Sequence, residues 1–485
     1  MKLKRIIQKL NLKPLPNYQL VYLIVLLGFF RLLGFKYDND FWFTINQGRY
    51  VLEHSFPTIA INSIHNINFI FQSWGTGTLF YIIYNIFELY GMAFLLIIVS
   101  LLTMFFFYKL CFLISNNKRG ALLNTIIVMV LYSFFVVTRP HIFTVLNLVI
   151  MLYLLESYVR KNNVKYLFWL PLIGVLQINM HGIYFIILFI ITIPYVINSF
   201  RFKIFNIESK GYKKKPLFIA LFCMLLTGFI NPYGYKTVIY GFMTYQSNSL
   251  FNNSIEELLA LNFHNLTDKL FIIVIITTYV LHFSKLKEKP VRYTLLLLGT
   301  SYLAFDALKS FYLFLFCSLF PLVLLFKKEK NDYDKVYSKN YHLFHLMFTI
   351  VLCISCLFVI NKPTNPDIVT FIDYLDKEVT NKEEIKLFTD YIDGSYAEYR
   401  GYNCYLDPRG EIFLISYNKK EDIFEEYDKV LNFKINYKDF IDKYHFDYML
   451  VRNESELGYL MKSDAYKYIN VKEDKIHTLY KLNKE

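Results

Sequence analysis

The chain has 485 residues, of which 55% are hydrophobic, 19% aromatic and 19% charged, with a net charge of +13. That is too little charge for a soluble protein of this length, and apolar runs of about 18 residues or more mark a polytopic membrane protein. From Lys362 onward there are 25 acidic and 19 basic residues, a balance of −6, and the remainder holds 33 basic against 14 acidic, or +19. The basic excess therefore belongs to the membrane part and needs no nucleic acid partner.

In chain order, the N-terminal segment carries Lys2, Lys4, Arg5, Lys9 and Lys13 and is expected on the cytoplasmic side. A first span at 18–35 has no small-residue cleavage site behind it and is expected to stay as an anchor. It leads outward to a polar stretch, Tyr37 to Trp74, which opens Tyr37-Asp38-Asn39-Asp40-Phe41-Trp42-Phe43. Ionised groups are excluded from hydrocarbon, so two carboxylates directly after a span are costly to place by accident. We read this stretch as an outer loop carrying the catalytic carboxylate of a membrane enzyme; a solvated connection is the bland alternative.

The segment 74–89 is apolar but short, and fits a surface helix or part of the second span equally. Further spans are expected at 91–114, 121–137, 142–158, 166–178, 183–200, 216–230, 270–283, 293–305, 310–326 and 343–360. That makes a polytopic all-α membrane domain of about eleven helices over 1–361, multi-pass in the cell membrane. The inner loops hold 25 Lys and Arg against about six outside, which fixes the orientation and puts the tail outside. After a linker at 361–366, residues 362–485 read as a small extracytoplasmic α/β domain. Its strand candidates are 385–391, 402–406, 447–452 and 475–482, with helices at 368–377 and 437–444. Five of the six cysteines lie in apolar runs, and the Cys353/Cys356 pair sits inside a span, so no disulfide framework is expected.

One consequence bears on function. Asp38, Asp40, Arg139, His141, Asn179, His181, Asn231, Glu256, Glu257 and Lys309 all fall at span ends on the outer side. Polar residues at the edge of a membrane bundle usually line a cavity or substrate path. Singly, each has a plainer reading: Arg139 and Lys309 can snorkel to headgroups, and Asn231-Pro232-Tyr233-Gly234 is a good turn by itself. Their convergence from several loops points to one shared pocket.

These residues resemble those of bacterial membrane glycosyltransferases of the GT-C superfamily, distantly similar to protein mannosyltransferases and the lipid A aminoarabinose transferase. The resemblance rests on Asp38-Asn39-Asp40 with its following aromatics, Arg139-Pro140, Asn179-Met180-His181-Gly182, Asn231-Pro232-Tyr233-Gly234 and Glu257. In the tail it rests on Thr389 to Tyr396 and Leu406-Asp407-Pro408-Arg409. Lys309 stands where an Arg is usual, and Leu258 where a Trp is.

The resemblance implies a polyprenyl-phosphate-linked sugar donor, a cell-envelope glycan or lipid acceptor, membrane lipid around both, and inverting transfer on the outer face. Asp38, with Asp40 ranked just behind it, would act as general base on the acceptor hydroxyl. Arg139, His141, His181 and Lys309 could bind the donor phosphate. Trp42, Asn179, Asn231 and Glu256 would line the substrate pocket, with Glu256 and Glu257 orienting the acceptor. Mg2+ or Mn2+ bridging Asp38, Asp40 and phosphate is an open option. Rival readings are a polysaccharide polymerase or ligase, a lipid-linked sugar flippase, and a non-catalytic scaffold. The flippase should show internal repeats, and none is seen.

Overall fold

The computed structural model describes residues 37–204, 206–245, 255–326 and 367–483. The spans expected at 18–35 and 343–360 lie outside the described residues, as do Cys353 and Cys356.

The polar stretch expected as a loop begins with a helix, α1 (Asn39–Glu53). Asp38 caps it, its carboxylate accepting from Phe41 N at 3.2 Å. Phe41, Trp42, Ile45 and Gly48 recur at three- and four-residue spacing and bury one face. That period was present in the sequence, under the polar residues between. α2 (Trp74–Ser115) joins the short apolar segment to the second span, with a non-helical break at Glu88 (φ 51°). Tyr37 Oη donates to Leu89 O at this break (2.8 Å). α1 lies tightly on the first arm of α2: a Cβ on Gly48 would stand 2.0 Å from Gly77 O.

The bundle continues with α3 (Lys118–Tyr132) and α4 (His141–Lys161), then a 3-10 turn (Val164–Trp169) running into α5 (Leu170–Met180). α6 (Phe185–Asn198), α7 (Lys214–Leu226), α8 (Tyr235–Tyr245), α9 (Leu266–Val280), α10 (Val291–Asp306) and α11 (Phe311–Ser318) follow. Every expected span within the described residues is helical. Among the described residues four helical stretches are long and apolar enough to cross a membrane: Trp74–Ser115, His141–Lys161, Leu266–Lys285 and Leu308–Phe326. The basic loop after α6 is not open chain: β1 (Arg201–Ile204) and β2 (Ile207–Lys210) pair antiparallel.

Toward the far end of α4, Glu156 is fully buried. It accepts from Arg292 on α10 (2.7 and 3.1 Å), Arg160 (3.2 Å) and Tyr293 Oη (2.9 Å).

The tail is an α/β layer. Its elements are α12 (Val369–Glu378), β3 (Lys386–Thr389), α13 (Gly394–Tyr399), β4 (Asn403–Cys404) and α14 (Ile423–Leu431), then α15 (Tyr437–Tyr444), β5 (Tyr448–Arg452), α16 (Glu456–Ser463), β6 (Tyr468–Glu473) and β7 (His477–Leu482). The strand order is β4-β3-β5-β7-β6, with β3 parallel to both β4 and β5 and β7 antiparallel to its neighbours. Strand β6 was not expected from the sequence. The edge strand β4 is not bare: the segment after α1 adds to it through Cys404 N to Asn62 O (3.0 Å) and Ile64 N to Cys404 O (3.1 Å). Phe69 and Phe71 of the same segment share a core with Phe388 and Tyr405 of the tail.

Removing Glu156 leaves Arg292 buried without a counter-charge. Glu156→Leu is expected to cost about 3–5 kcal/mol, read as a lowered unfolding midpoint in detergent, whereas Glu156→Gln, which keeps part of the hydrogen bonding, costs less.

Candidate active site

The site is built at the end of the bundle that carries the tail. Arg139 lies in the turn between α3 and α4, where Pro140 ends the connection and starts the helix. Its guanidinium is shared by three carboxylates. Nε meets Asp38 Oδ2 at 2.7 Å, and Nη1 meets Asp40 Oδ2 at 2.9 Å and Glu257 Oε2 at 3.0 Å. Asp38 and Asp40 come from the start of α1, Glu257 from the 3-10 turn Glu256–Leu258. That turn is tied beside Lys309 by backbone bonds, Leu308 N to Leu259 O (2.9 Å) and Leu261 N to Phe305 O (3.3 Å). Of Glu256 only the backbone is described, next to Glu257 in the same turn.

One cation among three acids leaves uncompensated negative charge. Burial, followed by the neighbouring Asp38, Glu257 and Glu411 carboxylates, outweighs Arg139 and pushes Asp40 up to about 7. Its side chain keeps 32% of its surface open, so the group is crowded by protein yet reachable from solvent. Glu257 goes the other way: burial opposes its charge, but Arg139 and Lys309 hold it below the usual range. Lys309, half-buried, makes no hydrogen bond or ion pair among the described residues, and its charge acts on Glu257 and His181.

The histidines are built into the wall. His141 Nε2 donates to Phe135 O (2.9 Å), and His181 Nδ1 meets Thr144 Oγ1 (2.8 Å). Gly182 beside it lets Gln72 close in: its N–H reaches Gln72 O at 2.9 Å, and a Cβ would stand 2.9 Å from that oxygen.

Three expected pocket residues take other posts. Trp42 is 3% exposed and packs edge-on to Tyr84 and Tyr396. Asn179 accepts from Trp74 Nε1 (2.8 Å) and donates to Val175 O and Ile230 O (2.8 Å each). Asn231 satisfies its own turn through Gly228 O, Gly234 O, Tyr233 N and Thr237 Oγ1. The two asparagines border a shallow apolar groove of about 640 Å³ that also includes Trp74, Leu176 and Ile230. Neither hydrogen-bonds the carboxylate cluster.

The tail supplies further groups: Tyr391 and Arg409 come from the two stretches singled out in the sequence, and Glu411 does not. Tyr391 feels the charges of Asp40, Glu411 and Glu257, and its hydroxyl donates to Pro408 O (3.1 Å). Glu411 accepts from Tyr240 Oη on α8 (2.5 Å). Arg409, 4% exposed, pairs with Asp407 and with Glu398 (3.1 Å), donates to Ile61 O (3.3 Å), and lies 5.1 Å from the ring centres of both Phe43 and Phe69. Phe43 is one turn beyond Asp40, so the tail grips the helix that carries the carboxylates. The signals in the sequence were the Thr389 to Tyr396 and Leu406 to Arg409 stretches, the second ending just before Glu411.

Asp38 and Asp40 both face Arg139, so an ion such as Mg2+ or Mn2+ would have to share them with the guanidinium. Among the described residues no three His, Cys, Asp or Glu side chains are placed to hold a metal.

No family model and no curated protein matches the chain. Solved structures do. The apo oligosaccharyltransferase of Archaeoglobus fulgidus aligns with a TM-score of 0.57 at 12% identity, over 90% of this chain and 69% of that one. The same organism's AglB, in complex with an inhibitory peptide and a dolichol-phosphate, gives 0.55 at 12% identity, with the same 90% and 69%. ArnT from Cupriavidus metallidurans, bound to undecaprenyl phosphate, gives 0.50 at 8% identity, over 96% of this chain and 97% of that one. The chain shares its overall fold with these structures. Within this fold the Arg139 cluster stands where the bundle meets the tail.

A carboxyl whose pKa is higher folded than unfolded stabilises the fold below its unfolded value of about 4 and loses that contribution as pH rises. For Asp40 the loss runs up through about 7. Asp40→Asn is therefore expected to unfold at a higher temperature than wild type at pH 8, with the gain shrinking toward pH 4 in detergent melts.

Proposed function

We propose that this protein is an integral membrane glycosyltransferase. It moves a sugar from a polyprenyl-phosphate donor to a cell-envelope glycan or lipid acceptor, on the outer face, with inversion. The observation that carries the reading is Arg139 shared by Asp38, Asp40 and Glu257, with an unpaired Lys309 beside them, in a GT-C fold. The dolichol-phosphate and undecaprenyl phosphate bound to two of the similar structures support a lipid-phosphate donor.

The donor phosphate binds against Lys309, Arg139 and the N-terminus of α4, where backbone N–H groups and the helix dipole favour an anion. The polyprenyl chain stays in lipid beside the bundle. Asp40 takes the proton of the acceptor hydroxyl as that oxygen attacks the anomeric carbon. The bond from carbon to phosphate oxygen breaks, the electron pair leaves with polyprenyl phosphate, and the anomeric centre inverts. Asp40 suits the base role better than Asp38, whose oxygens are already taken by Phe41 N and Arg139. His141 and His181 shape the wall of the phosphate side.

The test is transfer of radiolabel from polyprenyl-phosphate sugars, mono- and oligosaccharide, in liposomes. Asp40→Asn is expected to lower kcat by about 10²-fold or more, with the wild-type rate falling as pH drops through the titration of that carboxyl near 7. Lys309→Met is expected to raise the donor KM by about tenfold, the loss of one charge-assisted phosphate contact. An arm with EDTA, then added Mg2+ or Mn2+, measures the metal requirement. Transfer by Asp40→Asn at the wild-type rate removes Asp40 as base, and no transfer from any donor by wild type removes the reading itself.

A further inference from the structure

We infer that Glu411, brought by the tail, sets acceptor specificity: with Asp40 and Glu257 it makes the acceptor side of the site anionic, so the accepted glycan carries no negative charge next to its reacting hydroxyl. This rests on the transferase reading and adds the acceptor's chemical class, a neutral or amino sugar rather than a uronate or phosphorylated one.

Glu411 lies in the 3-10 turn Gly410–Phe413, two residues past the buried Arg409. Arg409 does not neutralise it. Its Nε and Nη2 are taken by Asp407 and Glu398, and it packs against the touching Phe43 and Phe69 rings. Glu411 is instead held by a neutral donor, Tyr240 Oη at 2.5 Å, and Tyr240 is braced edge-on by Tyr417 at 5.4 Å. It makes no ion pair among the described residues, and one carboxylate oxygen is left to accept from a ligand. Asp40, Glu257, Tyr391 and Glu411 all keep part of their surface open to solvent. The charge of Glu411 reaches both Asp40 and Tyr391.

The local balance is then four carboxylates, Asp38, Asp40, Glu257 and Glu411, against Arg139 and Lys309. The incoming donor phosphate adds further negative charge on the Lys309 side. A carboxylate or phosphate on the acceptor would face Asp40 and Glu411 and, among the described residues, no free cation other than Lys309 on the donor side. Hydroxyl and ammonium groups would instead donate to them. Like charges brought together at an interface discriminate strongly between ligands of the same shape.

The experiment uses the full chain in liposomes, one donor, and two acceptors that differ only in the terminal residue: a hexose and its uronic acid. Wild type is expected to favour the hexose by about tenfold or more in kcat/KM. Glu411→Gln is expected to narrow that ratio several-fold through the uronate KM, and Glu411→Asp to keep it. Glu411→Gln should also move the acid limb of the pH profile downward. The charged groups facing Asp40 are Arg139, Asp38, Glu257 and Glu411, and one repulsive partner would be gone. Should Glu411→Gln fail to fold, wild type alone decides, because raising salt screens the repulsion and narrows the ratio. Equal use of both acceptors by wild type, or a ratio unmoved by both Glu411→Gln and salt, overturns the inference while leaving the transferase reading standing. No transfer to either acceptor overturns both.

Discussion

One guanidinium answers three carboxylates at the end of the helix bundle, and much of the rest of the molecule serves to keep it there. Asp38 and Asp40 start α1, Glu257 comes from a turn more than two hundred residues later, and Arg139 reaches both from the head of α4. Charges at the edge of hydrocarbon are retained only where they are paired or line a polar cavity. Here the pairing is incomplete by design of the sequence: there are more acids than bases, so one acid must carry the deficit. The crowding falls on Asp40, whose raised proton affinity is the local signature of that deficit.

The second constraint is the grip of the tail on α1. Arg409 packs over Phe43 and binds Ile61 O, a contact spanning 348 residues of sequence. The segment after α1 then extends the tail's sheet at β4. On the adjacent face of α1, Trp42 sits among Tyr84, Tyr396 and Tyr399. The helix carrying Asp38 and Asp40 is thus clamped on two faces by residues from the tail and on a third by α2, through Gly48 and Gly77. Carboxylates placed by such a clamp hold their geometry without help from substrate, which is what positioning catalysis requires.

The helical bundle and the α/β tail were legible because apolar run length and charge bias are local signals. The Arg139 cluster was legible in membership, since Asp38, Asp40, Arg139 and Glu257 all fall at span ends of one side. What was not legible was division of labour. Asn179 and Asn231 look like pocket residues in one dimension, but both spend their amides on backbone carbonyls. Trp42 has the residue type of a sugar platform and is buried instead. The helical period of α1 was hidden by its polar neighbours, and the pairing of Asn62 and Ile64 with Cys404 has no sequence signature, because strand addition is made by backbone atoms that every residue owns. Glu411 belongs to the same class: its importance comes from where Arg409 and Tyr240 hold it, not from any motif around it.

The two acids of the first turn of α1 show how such a site separates structure from chemistry. Both sit at the positive end of a helix, which favours ionised carboxylates. Asp38 takes the N-cap position, and its oxygens meet Phe41 N and Arg139 Nε. Both oxygens of Asp38 are therefore committed to fastening the start of the helix. Asp40 has a single ion-pair contact, to a nitrogen it shares with Glu257, and keeps lone pairs unclaimed. It can gain or lose a proton without unfastening α1. The better satisfied acid is therefore the structural one, and the acid that the fold leaves short of partners is the one free to exchange a proton.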